Sequence, residues 1–260
     1  MDAALFTALS VNSRRSAVEV FWELPNGSEV LFALSRREFG AMSFQDHPSW
    51  DVAHNRMQFL RLFQLKLDNL VSPQLVHRAV IREVTVNDAG KGARNHYNGL
   101  AGVDGLVTRD SNLVLMTTHA DCHPVWLVAP KSGWIGVAHV GWRGLLAGII
   151  ENLIQAIPEP DREGIVLTIG PGICVDHYQV GEEVAKKFLA SSLFPEMVIE
   201  RGNRFHLDLV RGIILAAGKL QVNVLTNILQ CTYETAYLSS FRRDREKFTP
   251  MAAIITRISG

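Results

Sequence analysis

Hydrophobic and polar residues alternate along two short segments near the N-terminus, residues 17–24 and residues 29–34. Alternation with a period of two places every second side chain on the same face, which is typical of a β-strand. The two segments are separated by Pro25-Asn26-Gly27-Ser28. An Asn-Gly pair between alternating segments is a strong signal for a hairpin turn, so we predict a β-hairpin here.

A different spacing follows in residues 50–67. Apolar residues recur there at intervals of three and four positions, which predicts one helix with an apolar face. The residues at these positions are Val52, Asn55, Arg56, Phe59, Leu60, Phe63 and Leu67, of which all but Asn55 and Arg56 are apolar. The polar pair Asn55 and Arg56 is therefore expected on the apolar side of the first half of this helix.

Predicted strands and helices alternate from residue 113 onward. Strands are predicted at residues 113–116, 125–128, 134–139, 165–169, 222–229 and 251–257, and helices at 145–157, 182–190 and 207–220. Residues 87–105 are rich in glycine and asparagine and are predicted to form a loop over the functional site. A strand-rich first half and a mixed second half predict an α/β (α+β) fold, with mixed β-sheets in a layered sandwich flanked by helices.

Length, composition and charge narrow the class of protein. With 260 residues, 47% of them hydrophobic, the chain can bury a large core, and we predict a single domain over residues 1–260. The charges of the 26 basic and 26 acidic residues cancel. The chain therefore lacks the strong positive electrostatic field that attracts nucleic acid or an anionic membrane. No segment reaches the roughly 18 apolar residues of a membrane span. Three distant cysteines and an N-terminus unlike a signal peptide predict a cytoplasmic protein.

Candidate metal ligands are His77, Cys122 and His139. Two imidazoles and one thiolate form a donor set for zinc, and three protein ligands leave the open fourth position that distinguishes catalytic zinc. If the strand that begins at Leu113 continued to Cys122, this cysteine would face away from His119 and His123, so we expect its partners elsewhere in the chain. With nine histidines present, a histidine near a cysteine also arises by chance. Residue types alone leave the ligand set open.

Six groups of residues occur in an order that matches a known family. They are Asp51-Val52-Ala53-His54-Asn55-Arg56, Ala120-Asp121-Cys122-His123-Pro124, His139-Val140-Gly141-Trp142-Arg143-Gly144, Ile169-Gly170-Pro171-Gly172-Ile173, Tyr178-Gln179-Val180-Gly181, and Ser240-Phe241-Arg242-Arg243-Asp244 with Met251-Ala252-Ala253. In these motifs the chain resembles the YfiH-like laccase-domain family over nearly its whole length. The resemblance implies the family's α/β sandwich and zinc bound by His77, Cys122 and His139.

The chain also departs from the family pattern. His77 stands in Gln74-Leu75-Val76-His77-Arg78, where the family usually has Gln-Val-His-Gly. The order and separation of the three ligands still favour His77, because His96 would require a long compensating shift. The segment Val175-Asp176-His177 stands where the family often has Pro-Cys-Cys, so this part of the wall is expected to differ.

Further residues are candidates for catalysis and substrate binding. Asp121, beside the cysteine ligand, either exchanges protons or only orients its own backbone. Arg143 opens the predicted helix after His139, where free backbone N–H groups attract anions. Arg56, Arg242 and Arg243 would add forked hydrogen-bond donors for a phosphate or carboxylate. Without the family resemblance, a single arginine more often forms an ordinary ion pair at the surface. We predict catalytic roles for Asp121 and Arg143 and substrate contacts for Asn55, Arg56, Arg143 and Arg242.

The resemblance implies a zinc-dependent purine nucleoside enzyme. Its expected reactions are phosphorolysis of adenosine, inosine, guanosine or methylthioadenosine and hydrolytic deamination of adenosine. The expected partners are a purine nucleoside and phosphate, without nucleic acid or membrane, in a monomer or small homo-oligomer. Cys174 and Cys231 are expected to be small buried residues rather than nucleophiles.

Alternative functions are also attached to this resemblance. A copper-dependent polyphenol oxidase would need a multicopper cluster, which usually uses His-x-His pairs, and none of the nine histidines forms such a pair. A Cys-His hydrolase would use Cys122 as nucleophile and His139 as base. Two further hypotheses are peptidoglycan precursor editing and a non-enzymatic role in binding a metal or a partner. Metal analysis separates the hydrolase from the zinc enzyme, because a nucleophilic thiolate must be free of metal.

Overall fold

The computed structural model of the protein describes residues 10–12, 17–24, 27–44, 47, 49–226 and 228–258. The strands are β1 (Ser10–Asn12), β2 (Ala17–Glu23), β3 (Glu29–Ser35), β4 (Leu70–Val71), β5 (Pro73–Gln74), β6 (Ile81–Glu83), β7 (Leu100–Ala101), β8 (Gly105–Thr108), β9 (Val114–His119), β10 (His123–Ala129), β11 (Trp134–Val140), β12 (Val166–Ile169), β13 (Gln179–Val180), β14 (Val198–Arg201), β15 (Arg204–Leu207), β16 (Asn223–Leu225) and β17 (Met251–Ile258). The α-helices are α1 (Ser49–Arg61), α2 (Trp142–Leu146), α3 (Ile149–Gln155), α4 (Glu182–Leu189), α5 (Leu209–Lys219) and α6 (Phe241–Asp244).

Two six-stranded sheets form the centre of the molecule. The first has the order β1-β2-β3-β17-β9-β4 and the second the order β16-β12-β10-β11-β8-β6. Most neighbouring strands are antiparallel, but β4 with β9, β6 with β8 and β12 with β16 are parallel. A three-stranded sheet β13-β15-β14 and the pair β5-β7 complete the strands. The predicted fold of mixed sheets flanked by helices is confirmed.

The side-chain alternation of β3 explains how the layers stack. Val30, Phe32 and Leu34 point into a core shared with the second sheet, where the Phe32 ring lies 5.2 Å from the Trp126 ring. Leu31 and Ala33 point the other way, into a core shared with α1. The outer face of the second sheet packs on α3 and α5 through a third core. Both faces of each sheet are therefore covered, which is why central strands such as β10 and β11 are nearly continuous apolar segments.

The predicted N-terminal hairpin is confirmed, with β2 and β3 paired from Ala17 opposite Ser35 to Glu23 opposite Glu29. Of the predicted turn, Pro25 and Asn26 lie outside the described residues. The predicted strands at 113–116, 125–128, 134–139, 165–169 and 251–257 are present as β9, β10, β11, β12 and β17. The strand predicted at 222–229 is shorter than expected and covers only Asn223–Leu225.

Two predicted helices were too long. The first ends at Arg61, because Gln64 adopts a left-handed φ of 59° and the N–H groups of Gln64 and Leu65 bond back to Arg61 and Leu60. This is the pattern of a Schellman motif, which terminates a helix. The helix predicted at 145–157 is instead two helices, α2 and α3, separated by Gly148 at φ 84°. The helices predicted at 182–190 and 207–220 are confirmed as α4 and α5.

The strand that carries the cysteine motif also ends early. β9 stops at His119, and Asp121 adopts a left-handed φ of 93°. The alternation argument that placed Cys122 opposite His119 is therefore wrong, since residues 120–122 are not part of the strand. In the described parts of the chain, no helix is long and apolar enough to cross a membrane.

Candidate active site

A cavity of about 700 Å³ opens where several loops meet at the ends of the central strands. Its wall includes all three predicted metal ligands, and it is lined within segments 43–44, 72–77, 92–99, 118–122, 139–143 and 241–250 and by Arg56 and Tyr178. Part of the predicted loop 87–105 therefore contributes to it, as expected. A cavity of this size is within the usual range for small-molecule sites.

His139, at the end of β11, has the clearest ligand geometry. Its side chain is buried, and Nδ1 lies 2.8 Å from the backbone oxygen of Thr118. Burial, followed by the neighbouring His77, lowers the pKa of His139 to about 4, so the ring is neutral at physiological pH. A neutral ring that donates from Nδ1 leaves a lone pair on Nε2, and this atom is buried without a hydrogen-bond partner. A buried imidazole nitrogen with a free lone pair is suited to bind a metal ion.

His77 is held by a carboxylate that the sequence analysis missed. The Asp104 carboxylate is fully buried and accepts from the backbone N–H groups of Val76, His77 and Arg78 at 2.7–2.8 Å. The backbone oxygen of Asp104 also accepts from the N–H of His139 at 2.8 Å. Asp104 thus fixes both histidines, and the two rings lie 4.8 Å apart. The only sequence signal was an acidic residue between the apolar residues of Gly102-Val103-Asp104-Gly105-Leu106.

His77 itself has a left-handed φ of 57°, as Asp121 has one of 93°. Left-handed backbone is uncommon outside glycine and concentrates at functional sites when the surroundings enforce it. At His77 the three N–H groups that converge on Asp104 supply that constraint. Burial is also the largest cause that lowers the pKa of His77.

Cys122 lies close to the backbone of Gly141. A Cβ atom at position 141 would approach the Cys122 sulfur to 2.7 Å, so only glycine leaves room for the thiol at this strand end. Burial, followed by Asp121, raises the pKa of Cys122 to about 12. A thiol with so high a pKa is a weak nucleophile until a cation stabilises its thiolate, which disfavours the metal-free Cys-His hydrolase.

His119 is nearby but is already engaged. Its Nε2 lies 2.8 Å from the Thr117 hydroxyl and its Nδ1 lies 3.0 Å from the backbone oxygen of Cys122. The ring also stacks on His139 at 4.8 Å. With both nitrogens occupied, His119 orients the cysteine loop and the neighbouring histidine rather than offering a free lone pair.

The pocket ligands His77, Cys122 and His139 are not gathered around one point. Among the described residues, the group of metal-capable side chains with all ligand atoms within 4.8 Å of one another is a different one: Cys174, His177, Cys231 and Glu234. The pocket ligands therefore have to draw closer before they can share one ion. His77 is the most exposed of the three ligands.

Asp121 and Arg242 form one wall of the cavity. The two carboxylate oxygens of Asp121 accept from the Thr232 hydroxyl and from the backbone N–H of Arg242, each at 2.7 Å. The backbone oxygen of Asp121 accepts from the N–H of Ile173 at 2.8 Å. Of the two roles considered for Asp121, this geometry favours orienting the backbone.

The predicted arginines differ in how far they are free to bind an anion. Arg143 is exposed and lies over the Trp142 ring at 4.4 Å. The helix that it was expected to open, α2, has only five residues, so the side chain rather than the helix dipole is the available anion donor. Arg242 donates from one nitrogen to the backbone oxygen of Gln179. Arg243 does not line the cavity, and its guanidinium bonds to backbone oxygens at 232, 233, 235 and 238 and to Asp244.

Arg56 and Asn55 have backbone partners. Arg56 is buried, and its guanidinium donates to the backbone oxygens of Met42, Gly92 and Ala93, at the edge of the cavity. Asn55 donates to the backbone oxygen of Ala41 and does not line the cavity. The structure therefore brings Arg56 to the site as a support for its wall and does not bring Asn55 there.

The family model described as multi-copper polyphenol oxidoreductase laccase matches residues 35–258. Purine nucleoside phosphorylase YlmD from Geobacillus stearothermophilus is 33% identical over 217 residues, which are 80% of this chain and 79% of the relative. Adenosine deaminase RL5 from an unknown prokaryotic organism is 31% identical over 185 residues, 67% of this chain and 70% of the relative.

Solved structures agree with these matches. A crystal structure of YlmD from Geobacillus stearothermophilus has a TM-score of 0.83 at 27% identity and covers 96% of this chain and 99% of its own. The YfiH protein from Bacillus licheniformis has the same fold, with a TM-score of 0.85 at 22% identity over 98% of this chain and 100% of its own. The chain belongs to the family described as multi-copper polyphenol oxidoreductase laccase, as its resemblance to YfiH-like proteins predicted.

Proposed function

We propose that this chain is a zinc-dependent purine nucleoside enzyme that cleaves nucleosides with phosphate and deaminates adenosine. The names of YlmD and RL5, a purine nucleoside phosphorylase and an adenosine deaminase, support both activities. The observation that carries the proposal is the buried Nε2 of His139, which has no hydrogen-bond partner and lies in the wall of a nucleoside-sized cavity.

The proposed metal ligands are His77, Cys122 and His139. One thiolate and two neutral imidazoles suit zinc, and they leave a coordination position for the reacting molecule. When bound, zinc would supply Lewis acidity beside the reacting atoms. Asp104 and Thr118 would orient the two histidines through the hydrogen bonds that they make to the His77 backbone and to the His139 ring.

Aromatic side chains supply a place for the purine. Phe44, Trp142, Tyr178, Phe241 and Phe248 line the cavity, and the Phe241 and Phe248 rings meet edge to face at 5.1 Å. Stacking on such rings holds a flat base without demanding a particular pattern of exocyclic groups. This arrangement favours several purine nucleosides over a single one.

Arg143 and Arg242 are the proposed phosphate donors. Forked guanidinium groups match phosphate oxygens and would hold the anion for attack on the ribose. In phosphorolysis a phosphate oxygen forms a bond to C1′, the bond from C1′ to the purine nitrogen breaks, and the purine leaves with the electron pair and takes up a proton. In deamination water adds to C6 of adenine and ammonia leaves, giving inosine. Only the first reaction needs the anion.

Copper-dependent oxidation is the second candidate, and the description of the family favours it. The nine histidines contain no His-x-His pair for a multicopper cluster. The two functions separate in one experiment, in which purified protein is analysed for metal and assayed with adenosine and with a phenol. The zinc enzyme should release inosine without phosphate, and free purine with ribose 1-phosphate when phosphate is added. Copper-dependent oxygen consumption with the phenol and no nucleoside turnover would restore the oxidase.

The remaining expectations stay predictions. They are a cytoplasmic location, a monomer or small homo-oligomer without nucleic acid or membrane partners, and a single domain over residues 1–260. Cell fractionation, light scattering and limited proteolysis would test them in that order.

A further inference from the structure

Four side chains outside the cavity lie together where two turns meet. Cys174, His177, Cys231 and Glu234, which we call the rear cluster, have their ligand atoms within 4.8 Å of one another. None of the four lines the cavity. We propose that the rear cluster is a second metal site, which binds zinc and holds the cavity wall in place.

The separations between the ligand atoms agree with tetrahedral coordination. Ligands bonded to zinc at about 2.0–2.3 Å in a tetrahedron lie about 3.3–3.8 Å from one another. In the rear cluster His177 Nδ1 lies 3.2 Å from the Cys174 sulfur, 3.8 Å from the Cys231 sulfur and 3.5 Å from a Glu234 oxygen. These spacings already have the size that one shared ion would impose, in contrast to those of the pocket ligands.

The chain around the rear cluster forms two turns with the same ligand spacing. Each begins at a cysteine and presents its second ligand three residues later, as Cys174-x-x-His177 and Cys231-x-x-Glu234. The first turn closes through the His177 N–H to the Cys174 oxygen at 3.1 Å, and the second through the Thr235 N–H to the Cys231 oxygen at 3.0 Å. A spacing of two residues between paired ligands also occurs in structural zinc sites, although their second ligand is usually a cysteine or histidine.

Backbone contacts fix the two turns against each other. A β-bridge joins Gly172 to Cys231, and the Cys174 N–H points at the Cys231 sulfur at 3.3 Å. The two cysteines are 57 residues apart in the sequence, so this pairing depends on the fold rather than on local geometry. The site is therefore preformed, which reduces the ordering cost of binding an ion.

The donor chemistry selects the ion. Two thiolates and an imidazole favour zinc over magnesium or calcium, which prefer oxygen donors. Burial, followed by the hydrogen bond with Cys231 and the repulsion between the two thiolates, raises the pKa of Cys174 to about 12. The Tyr233 ring stacks on His177 at 4.3 Å and covers one side of the cluster. Four protein ligands would close the coordination sphere, as in structural rather than catalytic zinc sites.

The rear cluster lies next to residues that support the cavity wall. Ile173, next to Cys174, donates to the backbone oxygen of Asp121, and Thr232, next to Cys231, donates to its carboxylate. Asp121 in turn accepts from the backbone of Arg242. An ion shared by both turns would therefore clamp the segments that position Asp121. The ion would have this effect whichever reaction the cavity performs.

The first test uses Cys122→Ser protein, which lacks the pocket thiolate but keeps the rear cluster. It should retain about one zinc per chain, and mercurial titration should release that zinc as two thiols react. After replacement by cobalt, the spectrum should show thiolate-to-metal absorption, because both remaining cysteines would be ligands. Failure to bind zinc, with both thiols reacting freely or joined in a disulfide, would overturn the second site whether or not the pocket holds metal.

The second test replaces ligands of the rear cluster, together and singly, in the Cys122→Ser background. Cys174→Ser with Cys231→Ser should abolish the remaining zinc and its stabilisation against heat. Because that variant could fail to fold, Glu234→Ala supplies a safer change on an exposed side chain and should weaken zinc binding in a chelator competition. Glu200→Ala, on exposed β14, is the matched control and should leave the affinity unchanged. Equal zinc affinity in Glu234→Ala, Cys174→Ser and control proteins would contradict the proposal.

Discussion

The pocket ligands and the rear cluster use similar donor atoms but are built in opposite ways. The rear cluster takes its four side chains from two turns that are bonded to each other, and they are already as close as one ion requires. His77, Cys122 and His139 come from three separate loops and strand ends and are further apart. Four preformed ligands suit an ion that stays in place. Three looser ligands beside a cavity leave space for a substrate.

The supporting contacts differ in the same way. At the pocket, neighbouring residues hold the ligands: the Asp104 carboxylate binds the backbone N–H of His77, and the backbone oxygen of Thr118 binds the His139 ring. In the rear cluster the ligands contact one another directly. The pocket therefore depends on outer groups for its geometry, whereas the rear cluster depends on its own turns. Substitutions at the two places should have separable effects on activity and on stability.

Cys122→Ala should produce the largest loss of activity. Without the thiolate the pocket should lose its metal, and both reactions should fall by about 10³-fold or more, because a Lewis acid is worth several kcal/mol in the transition state. Cys174→Ala is the matched control and should change activity far less while lowering the unfolding temperature. Metal analysis, nucleoside kinetics and thermal melts would compare the two. Unchanged zinc content and turnover in Cys122→Ala protein would remove this cysteine from the ligand set.

Arg143→Ala should separate the two reactions of the pocket. Phosphorolysis should fall by about 10²–10³-fold, the usual cost of losing one preorganised donor to a developing anion. Deamination should change less, because it needs no phosphate. Arg82→Ala, which removes an exposed arginine of β6, is the control for charge alone. An equal loss of both reactions in Arg143→Ala, measured with and without phosphate, would argue against the phosphate role.

Asp104→Asn should loosen the pocket without touching the rear cluster. An amide cannot accept all three N–H groups of residues 76–78, and loss of an outer-shell partner typically weakens metal binding by about 10–100-fold. Asp110→Asn is a useful control, since Asp110 accepts from the backbone N–H of Val86 away from the cavity. Zinc affinity should fall only in the first variant. The same affinity in both would show that the His77 loop keeps its geometry without Asp104.

The sequence predicted the parts of this arrangement that depend on local pattern. The alternation in residues 17–24 and the Asn-Gly turn that follows identified the hairpin of β2 and β3, and the motifs around Cys122 and His139 placed two candidate ligands in the cavity wall. It did not predict Asp104 as a support, because the contacts of its carboxylate are made with residues 26–28 positions away. Strands of two residues, such as β4 and β5, carry no periodicity to detect.

Cys174 and Cys231 were expected to be small buried residues, and the structure instead places both, half-buried, beside His177. The spacings Cys174-x-x-His177 and Cys231-x-x-Glu234 are visible in the sequence. The contact between the two segments, however, depends on the bridge between Gly172 and Cys231. Asn55 was expected at the substrate because Asn55 and Arg56 resemble the Asn-Arg motif of the family. The middle of α1 instead uses both side chains to bond the backbone at residues 41–42.

Phe241→Ala should give the smallest effect and should act on substrate binding alone. The Phe241 ring is half-exposed at the cavity wall and meets only Phe248 edge to face among the described rings, so its loss should disturb folding little. A stacked ring pair contributes about 0.5–1.5 kcal/mol, which corresponds to a rise in nucleoside KM of roughly 2- to 10-fold with kcat nearly unchanged. Tyr97→Ala removes an exposed ring that does not line the cavity, and its KM should stay at the wild-type value. A fall in kcat without a change in KM would indicate that Phe241 acts in catalysis rather than in purine binding. The adaptable part of the pocket would then include the aromatic side chains as well as the metal ligands.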